Sequence, residues 1–203
     1  MQASGYPVYI VEDDPSVRDS LGLLLGMEGL HVTLFADAES FLRAYRPEWR
    51  GCLLIDIRMP GMDGLTLQKK LLEVGCKIPV IVMTGHGNVE SSRAAFRARA
   101  VDFLEKPIDH AKLMNAIDEA FTLQAAAQNK IQRSTESELL LAKLTPREKE
   151  VMELIVAGMH NKEVADKLAI SIRTVEVHKA RIMAKLGVDG VSGLVRLSLA
   201  AHS

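Results

Sequence analysis

Glu12, Asp13, Asp14, Asp56, Thr84 and Lys106 are the residues of the first half of this chain whose types and spacing could do chemistry. Each stands at the carboxyl end of a short β-branched run. Glu12, Asp13 and Asp14 follow Val8 to Val11, Asp56 ends the run through Leu53 to Ile55, Thr84 follows Val80 to Met83, and Lys106 follows Val101 to Leu104. In an open parallel sheet the ligand crevice lies beyond the carboxyl ends of the strands. Carboxylates gathered there repel one another and resist ionising unless a cation neutralises them. A hard divalent ion with oxygen ligands, Mg²⁺ or Mn²⁺, suits that role. A hydroxyl and an ammonium aimed at the same place suit a phosphoryl group, whose oxygens need several positive and hydrogen-bonding partners. Taken singly, each residue has a plainer reading as a cap or loop residue, and Asp14, placed before Pro15, reads as a helix N-cap. Four strand ends carrying such residues in one chain are what favours a site.

The elements that must position them are legible as a pattern. The β-branched runs, including Val32 to Phe35, recur at intervals of 21 to 27 residues. Helical stripes fill the gaps, as with Val17, Leu21, Leu24 and Leu25 at i, i+4, i+7 and i+8. Strands alternating with helices of this length predict an α/β fold with a parallel sheet covered on both faces. The pattern stops near residue 107, and the 38 residues from Ile108 to Thr145 contain no glycine or proline. They read as one long helix or two in series: a packing stripe through Leu113, Ala116, Ile117 and Ala120, then a polar, Ala/Gln-rich linker weakest at Ser134 and Thr135. Beyond it the sequence predicts short helices only. Thr145, Pro146 and Glu148 form a capping box, Gly158 ends that helix, Asn161 caps a second, Ser171 caps a third that Gly187 closes, and a fourth runs from about Gly190 to Ala200. The expected division is residues 7–122, a linker at 123–142, and 143–203.

The formal net charge of -1 conceals an asymmetry. Residues 143–203 hold ten basic and seven acidic residues, or +3, and the remainder holds fifteen and nineteen, or -4. Two cysteines, Cys52 and Cys76, are too few for a disulfide framework or a cysteine-rich zinc site, and they point to a reducing, cytoplasmic setting. The apolar runs fall short of the roughly 18 residues of a membrane helix, so no membrane partner is expected. Met1 to Pro7 carries no export signal. Gly85-His86-Gly87 lacks the further glycine or the Gly-Lys-Ser/Thr of a nucleotide loop, which leaves His86 as a rim residue.

Glu12-Asp13, Asp56 within Asp-Ile-Arg-Met-Pro-Gly-Met-Asp-Gly, Thr84 within Met-Thr-Gly-His-Gly, and Lys106-Pro107 together resemble the receiver domain of two-component response regulators. The resemblance implies a (βα)5 flavodoxin-like fold of strand order 2-1-3-4-5, in which Asp56 accepts a phosphoryl group from a sensor histidine kinase. It implies Mg²⁺ held by Glu12, Asp13, Asp56 and the backbone carbonyl of Arg58. It further implies that Thr84 and Lys106 grip the phosphoryl oxygens, that Lys106 precedes a cis proline, and that Phe103 is an aromatic that swings inward on activation. Glu12 departs from the aspartate more common there, and Arg99 departs from the usual Ala-x-x-Gly-Ala before the last strand. A phosphatase forming an aspartyl-phosphate on a similar fold would want an acid two residues after the nucleophile, where Arg58 stands. A regulator that works without phosphorylation is disfavoured by the presence of Asp56, Thr84 and Lys106 together.

At about 100° per residue, the helix expected after Ser171 gathers Val175, Ile182 and Leu186 into one stripe and Arg173, Glu176, Val177, Ala180 and Arg181 on the opposite face. A small or apolar centre with polar and basic flanks is what a DNA major groove admits. Leu-Thr-Pro-Arg-Glu-Lys-Glu-Val, Gly-Met-His-Asn-Lys-Glu-Val-Ala and Ile-Arg-Thr-Val-Glu-Val-His-Lys-Ala-Arg-Ile-Met-Ala-Lys-Leu resemble the LuxR-type DNA-binding domain, an all-α four-helix unit. By that likeness Asn161 to Ala180 is the helix-turn-helix, with Glu176, Val177 and Ala180 facing bases. Lys162, Thr174, Lys179, Arg181 and Lys185 become candidates for phosphate contact. Val191, Leu194 and Val195 of the fourth helix either pair two such domains or serve as internal core. The whole is similar to the NarL/FixJ family, most like its FixJ branch. That likeness implies a cytoplasmic transcriptional regulator, not an enzyme, that dimerises on phosphorylation, binds a palindromic double-stranded operator and, as an activator, meets RNA polymerase.

Overall fold

The structure, a computed structural model, describes residues 5–85 and 100–201. His86 and Arg99 lie outside the described residues. The elements run β1 Val8–Val11, α1 Pro15–Met27, β2 Val32–Phe35, α2 Ala38–Ala44, β3 Cys52–Asp56, α3 Gly64–Glu73, β4 Val80–Thr84, β5 Ala100–Glu105, α4 His110–Leu141, α5 Pro146–Val156, α6 Asn161–Leu168, α7 Ile172–Leu186 and α8 Val191–Ala201. Two compact units result, Met1–Ala126 and Ala127–Ser203.

In the first unit the five strands pair in parallel in the order β2-β1-β3-β4-β5, as expected. Strand alternation builds two cores from one sheet. Val8, Ile10, Leu54, Ile81 and Met83 face α1 and the first turns of α4, packing on Leu21, Leu25, Leu113, Ile117 and Phe121. Tyr9, Val11, Leu53, Ile55 and Val82 face the other way, onto Phe41 of α2 and Leu67 and Leu71 of α3. The three central strands are buried throughout, whereas edge strand β5 is mostly half-buried and edge strand β2 exposes Thr33 and Leu34. β3 and β4 each extend to take in their terminal polar residue, Asp56 and Thr84, because ladder pairing depends on backbone rather than side chain. A register shift leaves Val101 as an extra residue between Ala100, opposite Val80, and Asp102, opposite Ile81.

Local chemistry sets the helix starts. Asp14 accepts from the N–H groups of Ser16 and Val17 ahead of Pro15, as its position predicts. In the second unit Thr145 and Glu148 make the expected capping box, Ser171 accepts from the Thr174 N–H, and Gly187 ends α7 at φ +66°. One cap differs. The residue capping α6 is His160, and Asn161 is its first helical residue; the Glu163 carboxylate reaches back to the His160 N–H at 2.7 Å. Glutamate at the third helical position fixes the start there, and this outweighs the better capping propensity of asparagine. Around Val151, Val164, Val175, Ile182 and Leu194 the four short helices close a core of their own. Among the described residues no helix is long and apolar enough to cross a membrane.

Phe41 is fully buried and meets the rings of Phe35, Tyr9, Tyr45 and Trp49 at centroid distances of 5.2 to 6.3 Å. Truncating such a side chain leaves a cavity as well as removing buried area, so Phe41→Ala should lower stability by about 3–5 kcal/mol. Urea unfolding followed by Trp49 fluorescence will read it, and a change below about 1 kcal/mol would show that this cluster does not hold α2 to the sheet.

Candidate functional site

Parallel pairing brings the carboxyl ends of β1, β3, β4 and β5 to one edge, and hydrogen bonds just past the strands fix the first residues beyond them. The Glu12 N–H donates to the Phe35 carbonyl at 3.1 Å, the Ile57 N–H to Met83 at 2.9 Å, and the Lys106 N–H to Thr84 at 2.7 Å. Glu12, Asp56 and Thr84 are at most 4% exposed, and Asp13 is half-buried. Lys106 Nζ lies 2.6 Å from Glu12 Oε2 and 3.0 Å from Asp56 Oδ1, and the Lys106-Pro107 peptide bond is cis. Glu12, Asp13, Asp56 and Lys106 are thus drawn together at this edge, where Thr84 ends β4.

Electrostatics follow from that burial. Desolvation pushes the Glu12 carboxyl above its usual range, helped by the nearby Asp56 charge and opposed by the hydrogen bond from Lys106. For Lys106, burial favours the neutral amine, but its contacts with Glu12 and Asp56 outweigh burial and hold the ammonium charged. Asp56 Oδ2 accepts from the Arg58 N–H at 3.1 Å, while the buried Oδ1 faces the Lys106 ammonium at 3.0 Å. One carboxylate oxygen from each of Glu12, Asp13 and Asp56 falls within 4.8 Å of the others. An oxygen-only donor set of three clustered carboxylates fits a hard divalent cation.

Approach to Asp56 from α3 demands glycine. A Cβ on Gly64 would stand 2.2 Å from the Asp56 carbonyl oxygen, and the Gly64 N–H donates to the Ile57 carbonyl at 2.9 Å. Phe103 is half-buried against the core on the α2/α3 side of the sheet, with its N–H bonded to Asp102 Oδ1. Arg58 is exposed at the second position after Asp56.

In the second unit α7 divides as its periodicity predicts. Val175, Ile182 and Leu186 are at most 4% exposed, while Arg173, Glu176, Val177, Ala180 and Arg181 lie exposed on the opposite face. Lys162 and Lys179, 17 positions apart, line one concavity of about 670 Å³ with His160 and Asn161 at the start of α6. The Thr174 hydroxyl pairs with that of Ser171 at 2.8 Å. Between α6 and α7 the turn passes through Ala169 at φ +53°, and Arg147 steadies it by donating to the Leu168 carbonyl at 2.6 Å. Leu194 belongs to the core, Val195 is half-buried and Val191 is exposed.

A receiver domain of response regulators matches residues 8–118, and the luxR family of bacterial regulatory proteins matches residues 142–198. The chain is a response regulator. The transcriptional regulatory protein FixJ of Rhizobium meliloti is 42% identical over 96% of each chain, and the response regulator protein TodT of Pseudomonas putida is 37% identical over 94% of this chain and 84% of that one. Among solved structures, response regulator StyR superposes with a TM-score of 0.83 at 38% identity, covering 97% of this chain and 99% of that one. Full-length FixJ from B. japonicum gives 0.61 at 39% identity over 99% and 98%. A receiver joined to a LuxR-type DNA-binding domain makes this response regulator a phosphorylation-controlled transcriptional regulator. Its receiver carries an acidic cluster compatible with a divalent metal, and its relatives are regulators of transcription.

Sequence spacing missed two contacts of the response regulator. Arg18 donates to the backbone carbonyls of Glu12 and Asp13, for which the only sequence signal is an arginine one turn after the acidic loop. Lys185 Nζ donates to Glu148 Oε2 at 2.6 Å, tying the end of α7 to the capping box 37 residues earlier. That bond, with those from Thr145, holds the Glu148 carboxyl down at about 2 against its ordinary 4.5. A depressed folded value contributes stability that is full above pH 4.5 and vanishes as pH falls through 2. The deficit of Glu148→Gln in urea unfolding should therefore be constant above pH 4.5 and shrink between 4.5 and 2; a deficit independent of pH would mean that the carboxylate's charge is irrelevant.

Proposed function

We propose that Asp56 is the phosphoacceptor of this regulator and that its phosphorylation by a sensor histidine kinase controls operator binding. The observation that carries the proposal is the buried Asp56 carboxylate set between Glu12, Asp13 and Lys106 at the sheet edge. An Asp56 oxygen attacks the phosphorus of a phosphohistidine; the new P–O bond forms as the P–N bond breaks, and the imidazole keeps the electron pair. Glu12, Asp13, Asp56 and the Arg58 carbonyl would hold Mg²⁺ or Mn²⁺, which when bound offsets the negative charge of carboxylates and phosphoryl oxygens. The Thr84 hydroxyl and Lys106 ammonium grip the phosphoryl oxygens, and Phe103 turns inward in the phosphorylated state. No turnover beyond slow self-phosphorylation and dephosphorylation belongs to this scheme.

The output reading assigns base contacts to Glu176, Val177 and Ala180, with Asn161, Lys162, Arg173, Thr174, Lys179 and Arg181 at the backbone. Shared lining of one concavity by Lys162 and Lys179 supports a phosphate seat there. Lys185, already paired with Glu148, contributes less. Residues 7–122 act as receiver, 123–142 as linker and 143–203 as output domain. Phosphorylation favours a homodimer, which places two output domains on a palindromic operator in the cytoplasm and recruits RNA polymerase as an activator.

Incubating the full chain with Mg²⁺ and acetyl phosphate should add one acid-labile phosphate, absent from Asp56→Asn. Equal labelling of the variant would remove Asp56 from the role. Binding to a random-sequence duplex should weaken with salt, and Lys162→Ala should flatten the log–log slope by about 0.9, the value of one phosphate contact. An unchanged slope would exclude Lys162 from the interface.

A further inference from the structure

The turn between β1 and α1 carries two of the three clustered carboxylates, and it is held from several sides. The Glu12 N–H is tied to the Phe35 carbonyl across the sheet, the Asp14 N–H donates to Glu12 Oε1 at 3.4 Å, and Asp14 caps α1. Arg18 meets both the Glu12 and the Asp13 carbonyl. Arg18, in the first turns of α1 with its own N–H on the Asp14 carbonyl, folds its guanidinium back so that Nη1 donates to Glu12 O at 2.9 Å and to Asp13 O at 3.2 Å. Fixing those two carbonyls fixes the backbone torsions at Glu12 and Asp13, and with them the directions in which both carboxylates leave the chain. Lys106, by contrast, grips the carboxylate oxygens of Glu12 and Asp56.

We propose that Arg18 is a positioning residue of the cation site, setting the Glu12 and Asp13 carboxylates against Asp56. This rests on reading the acidic cluster as the seat of Mg²⁺. Outer groups that orient ligands typically change metal affinity by about 10–100-fold when lost. The sign of the effect separates this role from simple electrostatics. A guanidinium beside a cation site repels the cation, so on charge alone its removal tightens binding; positioning requires that removal weaken it.

The test is Mn²⁺ binding to the full chain by isothermal titration calorimetry, with phosphorylation by acetyl phosphate measured across Mg²⁺ concentrations. Arg18→Met, which keeps the apolar stem and loses the donors, should bind Mn²⁺ at least about 10-fold more weakly. Its half-saturating Mg²⁺ concentration should rise in step, while the phosphorylation rate at saturating Mg²⁺ stays that of the wild type. Arg18→Lys should recover most of the affinity, and Arg18→Gln takes the place of Arg18→Met if the latter does not fold. Mn²⁺ binding as tight as the wild type's, or tighter, in Arg18→Met or Arg18→Gln overturns the proposal. A wild-type chain that binds no Mn²⁺ defeats the reading of the acidic cluster itself, and the role of Arg18 falls with it.

Discussion

The Lys106 ammonium, held between Glu12 and Asp56, is the contact around which the receiver edge is organised. Burial pushes the Glu12 carboxyl towards protonation, and the hydrogen bond from Lys106 opposes it. At separations of 2.6 and 3.0 Å the attraction of each pair is on the order of 6 kcal/mol at an effective dielectric constant of 20. Desolvating each ion costs several kcal/mol, so the arrangement offsets its own burial rather than stabilising the fold by much. What it secures is two carboxylates at the sheet edge with an ammonium beside them. Lys106 arrives there because its N–H completes the β4–β5 pairing on the Thr84 carbonyl, so the chemistry depends on strand register.

Much of this was legible because the decisive features are local. Caps at Asp14, Thr145 and Ser171 depend on a few adjacent residues, and each was readable from the sequence. Strand ends were readable to within one residue; Cys52, Asp56, Thr84, Ala100 and Glu105 each extend a strand past its apolar run, because the backbone continues the ladder whatever the side chain. Exposure of the edge strands was not readable, since all five strands are similar apolar runs and only the pairing order decides which lie outside. Neither was the fate of individual charges. Arg18 and Lys185 look like ordinary solvated cations, yet one is spent on backbone carbonyls and the other on a carboxylate 37 positions away. Interactions of that kind leave no period in a sequence.

The Glu148 carboxylate shows how the output domain fixes its reading helix with few groups. It accepts from the Thr145 N–H and hydroxyl at the start of α5 and from Lys185 near the end of α7, so one side chain joins a helix cap to the helix that presents Glu176, Val177 and Ala180. Arg147, one residue before it, holds the Leu168 carbonyl beside the left-handed Ala169 turn. α7 is therefore braced near both ends by neighbouring residues of α5. Its outer face keeps apolar Val177 and small Ala180 between the flanking Arg173 and Arg181, with no large side chain at its middle.

The charge split bears on why such a domain needs a switch. Ten basic against seven acidic residues leave +3, which supports few phosphate contacts, and each contact that releases a counterion is weakened by cellular salt. Under the proposed function one output domain alone binds poorly. Two domains on one operator bind far better, because the second arrives at an effective concentration set by its tether rather than by the cell. A modest bias toward the paired state, of the few kcal/mol that a phosphoryl group in the receiver pocket can supply, is then read out as a large change in operator occupancy. A strongly basic output domain would lose this property, since it would occupy DNA whether or not Asp56 carried phosphate.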